Sequence, residues 1–117
     1  MFVRISCAAA ALAATMLVSA PANAGAIMTL NNRPLKDLSQ DECMRKARTT
    51  IRKAGFKYHD TTSEAVWGLA NDSRDMVAIY CLKSTPVAVF AGASPTGKGS
   101  VTEPLVDRLT DEWDAND

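Results

Sequence analysis

Two cysteines constrain the fold of this chain more than any other feature. Cys43 falls on the apolar side of a helix-like segment, and Cys81 falls in the most strand-like segment of the sequence. A disulfide between them requires the helix to lie across the strand. Closing a loop of about 39 residues stabilises a folded chain by roughly 4 kcal/mol in the chain-entropy model. The pair predicts a helix-to-strand disulfide, and the absence of Cys-x-x-Cys spacing favours a structural bond over a redox-active one.

The N-terminal segment predicts the oxidising setting that such a bond needs. Residues 1–24 have a basic start at Arg4, then an uncharged apolar run, then the small-x-small sequence Ala22-Asn23-Ala24. This order is typical of a cleaved secretory signal peptide, and the apolar run is shorter than the about 20 residues that a membrane span needs. We therefore expect cleavage near Ala24, a periplasmic or secreted protein and no membrane span. The alanine-rich leader suits a bacterial source.

Size and charge exclude several classes of protein. After cleavage fewer than 100 residues remain, which is enough for one modest core. The leader also takes Cys7 with it, leaving an even pair of cysteines. The whole chain carries 13 basic and 13 acidic side chains, for a formal net charge of +0. Because proteins that bind nucleic acid usually carry a basic excess, we expect no nucleic-acid partner.

Helical spacing and turn residues predict two helices. Residues 25–38 have no clear period and are predicted as an extended lead-in to a single domain over 39–114. Ser39 and Glu42 have the spacing of a capping box, and Gly55 is a natural stop for the helix that follows. A second helix is predicted from near Thr102, where Pro104 falls in the first turn. Its apolar stripe is Leu105, Leu109 and Trp113.

Between the helices, a two-residue period predicts four strands joined by short turns. They cover Phe56–His59, Ala65–Ala70, Met76–Lys83 and Val87–Ala91. The connections are too short for crossover helices, so the strands should pair as an antiparallel meander. The predicted fold is an α+β two-layer sandwich, ordered helix, four-stranded antiparallel meander, helix, with one helix-to-strand disulfide.

The strand around Cys81 is apolar on both sides, which suggests a binding surface. Val77, Ile79 and Cys81 form one side, whereas a sheet with one face in water would carry polar residues on the other. A partner, a ligand or a second copy of the chain could bind there. The predicted binding residues are Met76, Tyr80, Leu82 and Phe90. The alternative is that residues 27–35, or the second helix with Trp113, cover this side.

Two further motifs suggest a catalytic or metal-binding site and a phosphate-binding site. His59, the only histidine, stands near Asp60 and Glu64, which could orient it in a metal-binding or hydrolytic site. Nothing marks a nucleophile for it to activate, and a solvated histidine is favoured. Residues 92–98 resemble a phosphate-binding loop, but Gly99 stands where the magnesium-binding Ser or Thr belongs. A flexible loop is favoured there, with no cofactor.

Charge is segregated along the chain. Basic residues concentrate in one short stretch, which includes the first helix, and acidic residues concentrate at the C-terminus. The basic residues are Arg45, Lys46, Arg48, Arg52, Lys53 and Lys57, and the acidic residues are Glu103, Asp107, Asp111, Glu112, Asp114 and Asp117. The basic helix could bind an anionic envelope surface. Solvated faces that complement each other are the favoured interpretation, because exposed ion pairs are individually weak.

These observations favour a small exported binding protein over an enzyme. No constellation of catalytic or metal-ligating residues is present in the sequence, so none is assigned. The two alternatives are the His59 site and an envelope-associated protein that uses its basic helix. The most informative observation would be a model or structure showing whether the side of the sheet that bears Tyr80 and Phe90 is open.

Overall fold

Five antiparallel strands and two helices make up the α+β fold. The computed structural model describes residues 27–70, 74–95 and 99–116, so the predicted leader over 1–24 lies outside the described residues. The elements in chain order are β1 (Ile27–Pro34), α1 (Gln40–Lys53), β2 (Lys57–Thr61), β3 (Ala65–Leu69), β4 (Met76–Leu82), β5 (Val87–Ser94) and α2 (Gly99–Ala115). The strands lie in the order β1-β5-β4-β3-β2.

The first helix begins and ends where its residues predict. Ser39 Oγ accepts a hydrogen bond from the Glu42 N–H at 3.2 Å and donates one to Glu42 Oε1 at 2.9 Å. The first of these bonds satisfies a backbone N–H that an uncapped helix would leave to water. At the other end, Gly55 has φ of +88°, a conformation that glycine adopts without strain. The capping and the stop are therefore confirmed.

The prediction of four strands is wrong, because residues 27–34, within the predicted extended lead-in, form a fifth strand. Strand β1 pairs with β5 along its whole length, from Ile27 opposite Ser94 to Pro34 opposite Val87. The sheet therefore has five strands rather than four. Only β2, β3, β4 and β5 follow one another as the predicted meander, while β1 is added at the free side of β5.

Strand β1 is held to the second helix by polar contacts. Thr29 Oγ1 and Thr102 Oγ1 are 2.6 Å apart, and Arg33 Nε and Nη2 each lie 3.1 Å from an oxygen of Asp114. The hydrogen bond to Asp114 also raises the pKa of Arg33 above its ordinary value. Polar residues of β1 thus face the helices, the reverse of the usual apolar-inward alternation.

The second helix begins earlier than predicted. It starts at Gly99 rather than near Thr102, so Pro104 lies in its second turn. Strand β5 likewise runs on to Ser94, beyond the predicted end at Ala91. Gly92 then lies beneath the helix, where an added Cβ would come 3.0 Å from Thr102 O. Residues 92–94, the first part of the segment that resembles a phosphate-binding loop, are therefore part of β5. Residues 96–98 lie outside the described residues.

Both helices pack on the same side of the sheet and enclose one core. Cys43 on α1 and Cys81 on β4 lie at disulfide distance, with their sulfurs 2.04 Å apart, as predicted. Both cysteines are fully buried. The core includes Ala47, Ile51, Val66, Val77, Ile79, Phe90, Leu105, Val106, Leu109 and Trp113. Both described helices therefore lie on one side of the sheet.

The edge strand β2 is irregular. Its pairing with β3 shifts between Tyr58 and Asp60, which marks a β-bulge at His59. Lys57, His59 and Asp60 are all exposed on this strand. A bulge and charged side chains are features that prevent an edge strand from pairing with another chain.

Candidate functional site

The strand register divides the sheet residues into two sets. Ile79 pairs with Val66 on one side and with Phe90 on the other, and these residues face the helices. Because side chains alternate along a strand, the residues between them point the opposite way. We call that side the outer face. It comprises Met28, Leu30, Asn32 and Pro34 of β1, Val87, Val89, Ala91 and Ala93 of β5, Met76, Ala78, Tyr80 and Leu82 of β4, and Ala65, Trp67 and Leu69 of β3.

The outer face is almost wholly apolar. Asn32 and the Tyr80 hydroxyl supply its only side-chain polar groups apart from the Trp67 indole N–H, and the face carries no charged side chain. Charge reappears only at the far edge, where Lys57 and Asp60 pair with Leu69 and Trp67. A sheet face in water normally alternates with polar residues, so this composition is typical of a surface that binds something.

A ridge and a trough shape the outer face. Met28 and Leu30 stand out at the β1 edge, with 64% and 61% of their surfaces exposed. Beside them Ala91 and Ala78 are only 9% and 2% exposed, because taller neighbours flank them. The small alanines form the trough floor, and the β1 side chains form one wall.

Two aromatic rings form the other wall. Trp67 and Tyr80 lie edge to face, with ring centroids 5.6 Å apart and an interplanar angle of 77°. Such pairs hold their geometry and contribute about 0.5–1.5 kcal/mol beyond the area they bury. Both side chains remain partly exposed. This wall is therefore an ordered apolar contact surface.

Three of the four predicted binding residues share the outer face. Met76, Tyr80 and Leu82 lie together along β4, each partly exposed. Phe90 does not join them: it pairs with Ile79, is fully buried, and packs edge to face on Trp113 with centroids 5.3 Å apart. A shift of one residue in strand register moves a side chain to the other face, which is why this placement was wrong.

The segments that were candidates to cover the outer face lie elsewhere. Residues 27–34 lie in the plane of the sheet as β1, and Trp113 packs on the helix side. Within residues 27–70, 74–95 and 99–116, no element covers the outer face.

Several outer-face residues were not predicted as part of a site. They are Met28, Leu30, Trp67, Ala78, Val89 and Ala91. The alternation of Met28 and Leu30 with polar neighbours is the signal that could have identified β1 as a strand. The side of the sheet on which Met28 and Leu30 lie follows only from the pairing of β1 with β5.

His59 stands apart from any enclosed site. It lies at the β2 bulge and is exposed. Of its two predicted orienting residues, Asp60 accepts a hydrogen bond through Oδ1 from the Thr61 N–H at 2.7 Å, and Glu64 is an exposed residue of the turn before β3. Among the described residues, no group of three or more His, Cys, Asp or Glu side chains could hold a metal ion.

Several basic side chains of α1 make contacts with other residues of the fold. Lys46 Nζ lies 4.4 Å from the centre of the Trp113 ring, Lys53 Nζ donates to Asn116 Oδ1 at 3.0 Å, and Arg52 lies over Tyr58. Arg45 and Arg48 line an open cleft with the hydroxyl-bearing turn of residues 61–63. The two helices contact each other, and the contacts between them include those of Lys46 with Trp113 and of Lys53 with Asn116 at the end of α2.

Comparisons with known proteins add no family to this description. Searches of protein-family models, curated proteins and solved structures find no match to this chain. In the described part of the chain, no helix has the length and apolar character that crossing a membrane requires.

Proposed function

We propose that this chain is a small exported, non-enzymatic interaction protein that binds its partner through the outer face. The observation that carries the proposal is that, within the described residues, no element covers the apolar face of β1, β5, β4 and β3, because both described helices pack on the other side. Burying apolar surface contributes about 25 cal/mol per Å², so such a face favours association.

Two properties of the outer face support binding over catalysis. It holds no charged side chain, whereas acid–base chemistry needs titratable groups within reach of a substrate. Its side chains come from regular strands fixed on a core, which suits a surface that docks without rearrangement. Export is supported by the leader pattern and by the disulfide distance between Cys43 and Cys81.

A photo-crosslinker at Tyr80 tests the proposal. Replacing Tyr80 by p-benzoylphenylalanine keeps an aromatic ring on the outer face, and irradiation of the producing cells should give a defined covalent adduct. Tyr58 is the matched control, because it is a partly exposed tyrosine on the helix side of the same sheet. Mass spectrometry of the adduct identifies what was bound.

The expected result is an adduct from position 80 and none from position 58. Equal labelling at both positions, or no adduct at position 80 while the protein is folded and oxidised, would contradict the proposal. The adduct must also disappear when Leu30→Asp is introduced, since a buried charge at the ridge opposes docking.

A further inference from the structure

We propose that the partner on the outer face is a second copy of this chain, packed face to face about a two-fold axis that runs along β5. This inference rests on the proposed function and names the occupant of the same surface. In such a dimer β5 lies over its own copy, and β1 of each chain lies over β4 of the other.

The chemistry of the outer face is self-complementary. A two-fold interface brings the same patch from both copies together, so a charged patch would repel itself. The outer face carries no charged side chain across β1, β5, β4 and β3. Its chemistry therefore suits a copy of itself, whereas a surface built for a charged partner would carry complementary charge.

The heights of the side chains on the outer face are also complementary between two copies. In the register of the sheet, Leu30, Ala91 and Ala78 lie in one row across β1, β5 and β4. An axis along β5 keeps each row opposite the same row and exchanges β1 with β4. The exposed Leu30 of one copy then lies over the low-lying Ala78 of the other, so a long side chain is placed opposite a short one.

The polar groups of the outer face also find partners in this arrangement. Asn32 and Tyr80 share the next row, on β1 and β4. The same axis therefore places the Asn32 amide of one copy opposite the Tyr80 hydroxyl of the other. A buried polar group that lacks a hydrogen-bond partner opposes association, so this match favours the stated axis over other face-to-face orientations.

The area available suits a weak, reversible dimer. Strands about 4.8 Å apart and roughly 25 Å long give the three strands that face each other, β1, β5 and β4, a flat area of about 350 Å² per copy. The pair then buries on the order of 700 Å², which is below the standard size of specific interfaces and suits a transient one. Aligned packing of two sheets about 10 Å apart is a common way to bury such faces.

Sedimentation velocity of the purified protein tests the inference. Over about 1 to 300 μM, a range chosen for an interface of this size, we expect a reversible monomer–dimer equilibrium. Leu30→Asp should raise the dimer dissociation constant by about 30-fold or more, because it places a charge in the trough of the partner. Thr49→Asp adds the same charge on the exposed side of α1 and should leave the dissociation constant unchanged.

Folding of the variants is checked independently. Leu30 is mostly exposed on an edge strand, so circular dichroism and the absence of free thiols should match the original protein. A protein that stays monomeric at every concentration, or a dimer that Leu30→Asp leaves intact, overturns the inference. If that monomer still gives a Tyr80 adduct with a different molecule, the proposed function stands and only its occupant is wrong; if it gives none, both fail.

Discussion

Tyr80 and Phe90, which the sequence predicts on one binding surface, lie on opposite sides of the sheet. Tyr80 is partly exposed beside Trp67, while Phe90 is fully buried against Trp113. The four-residue turn between β4 and β5 pairs Leu82 with Val87, and that register sets which residues face the helices. Sequence alternation shows that each strand has two sides, but it does not fix how the two strands are aligned.

We expect aspartate substitutions at these two positions to differ clearly in their effect on the free energy of unfolding. Phe90→Asp should unfold the protein or destabilise it by more than about 4 kcal/mol, because it buries an unpaired charge in the core. Tyr80→Asp should keep the fold and lose less than about 1.5 kcal/mol, since its side chain reaches water. Urea unfolding followed by circular dichroism measures both. A folded Phe90→Asp protein of near-normal stability would contradict the register.

At the scale of elements, the helix α1 was the part most accessible to prediction. Its cap at Ser39, its stop at Gly55 and its buried Cys43 all follow from residues close in sequence. Strand β1 was not accessible in this way. Its apolar side chains face outward, and its polar Thr29 and Arg33 contact α2, a helix some 70 to 80 residues away in sequence. The alternation along β1 indicates a strand, but no local signal shows which strand and which helix it packs against.

Close packing of α1 on the sheet depends on Gly68 of β3. A Cβ at this position would come 2.8 Å from Ile51 Cγ2 and 3.1 Å from Val77 Cγ2. Gly68→Ala should therefore destabilise the protein by about 1–3 kcal/mol through overpacking. The comparison variant is Ala70→Gly, one residue beyond the end of the same strand, which adds no atoms and removes one partly buried methyl group. Urea midpoints measure the difference, and an unchanged midpoint for Gly68→Ala would show that α1 lies farther from the sheet.

For the whole molecule, the disulfide joins the two layers of the fold. Cys43 and Cys81 are 38 residues apart and connect α1 to β4 at the centre of the sheet. This tie was predictable because two cysteines allow one pairing. The openness of the outer face was not, since it depends on where β1 and α2 pack.

Export and oxidation lead to a prediction about the isolated protein. The form recovered from periplasm or medium should begin at Gly25, contain no free thiol, and lose roughly 3–4 kcal/mol of unfolding free energy on reduction. N-terminal sequencing, thiol titration and urea unfolding with and without dithiothreitol check the three parts. A protein retained with Met1 and two free thiols would contradict the export hypothesis.

The bulge in β2 has a consequence for how far association can proceed. Sheets that recruit further strands at both borders can polymerise into fibrils. Here the edge strand β2 has a bulge at His59 and carries charged side chains, so another strand cannot pair with it along its length. Growth by backbone pairing is confined to the remaining border, and we expect concentrated solutions to stay free of fibrils.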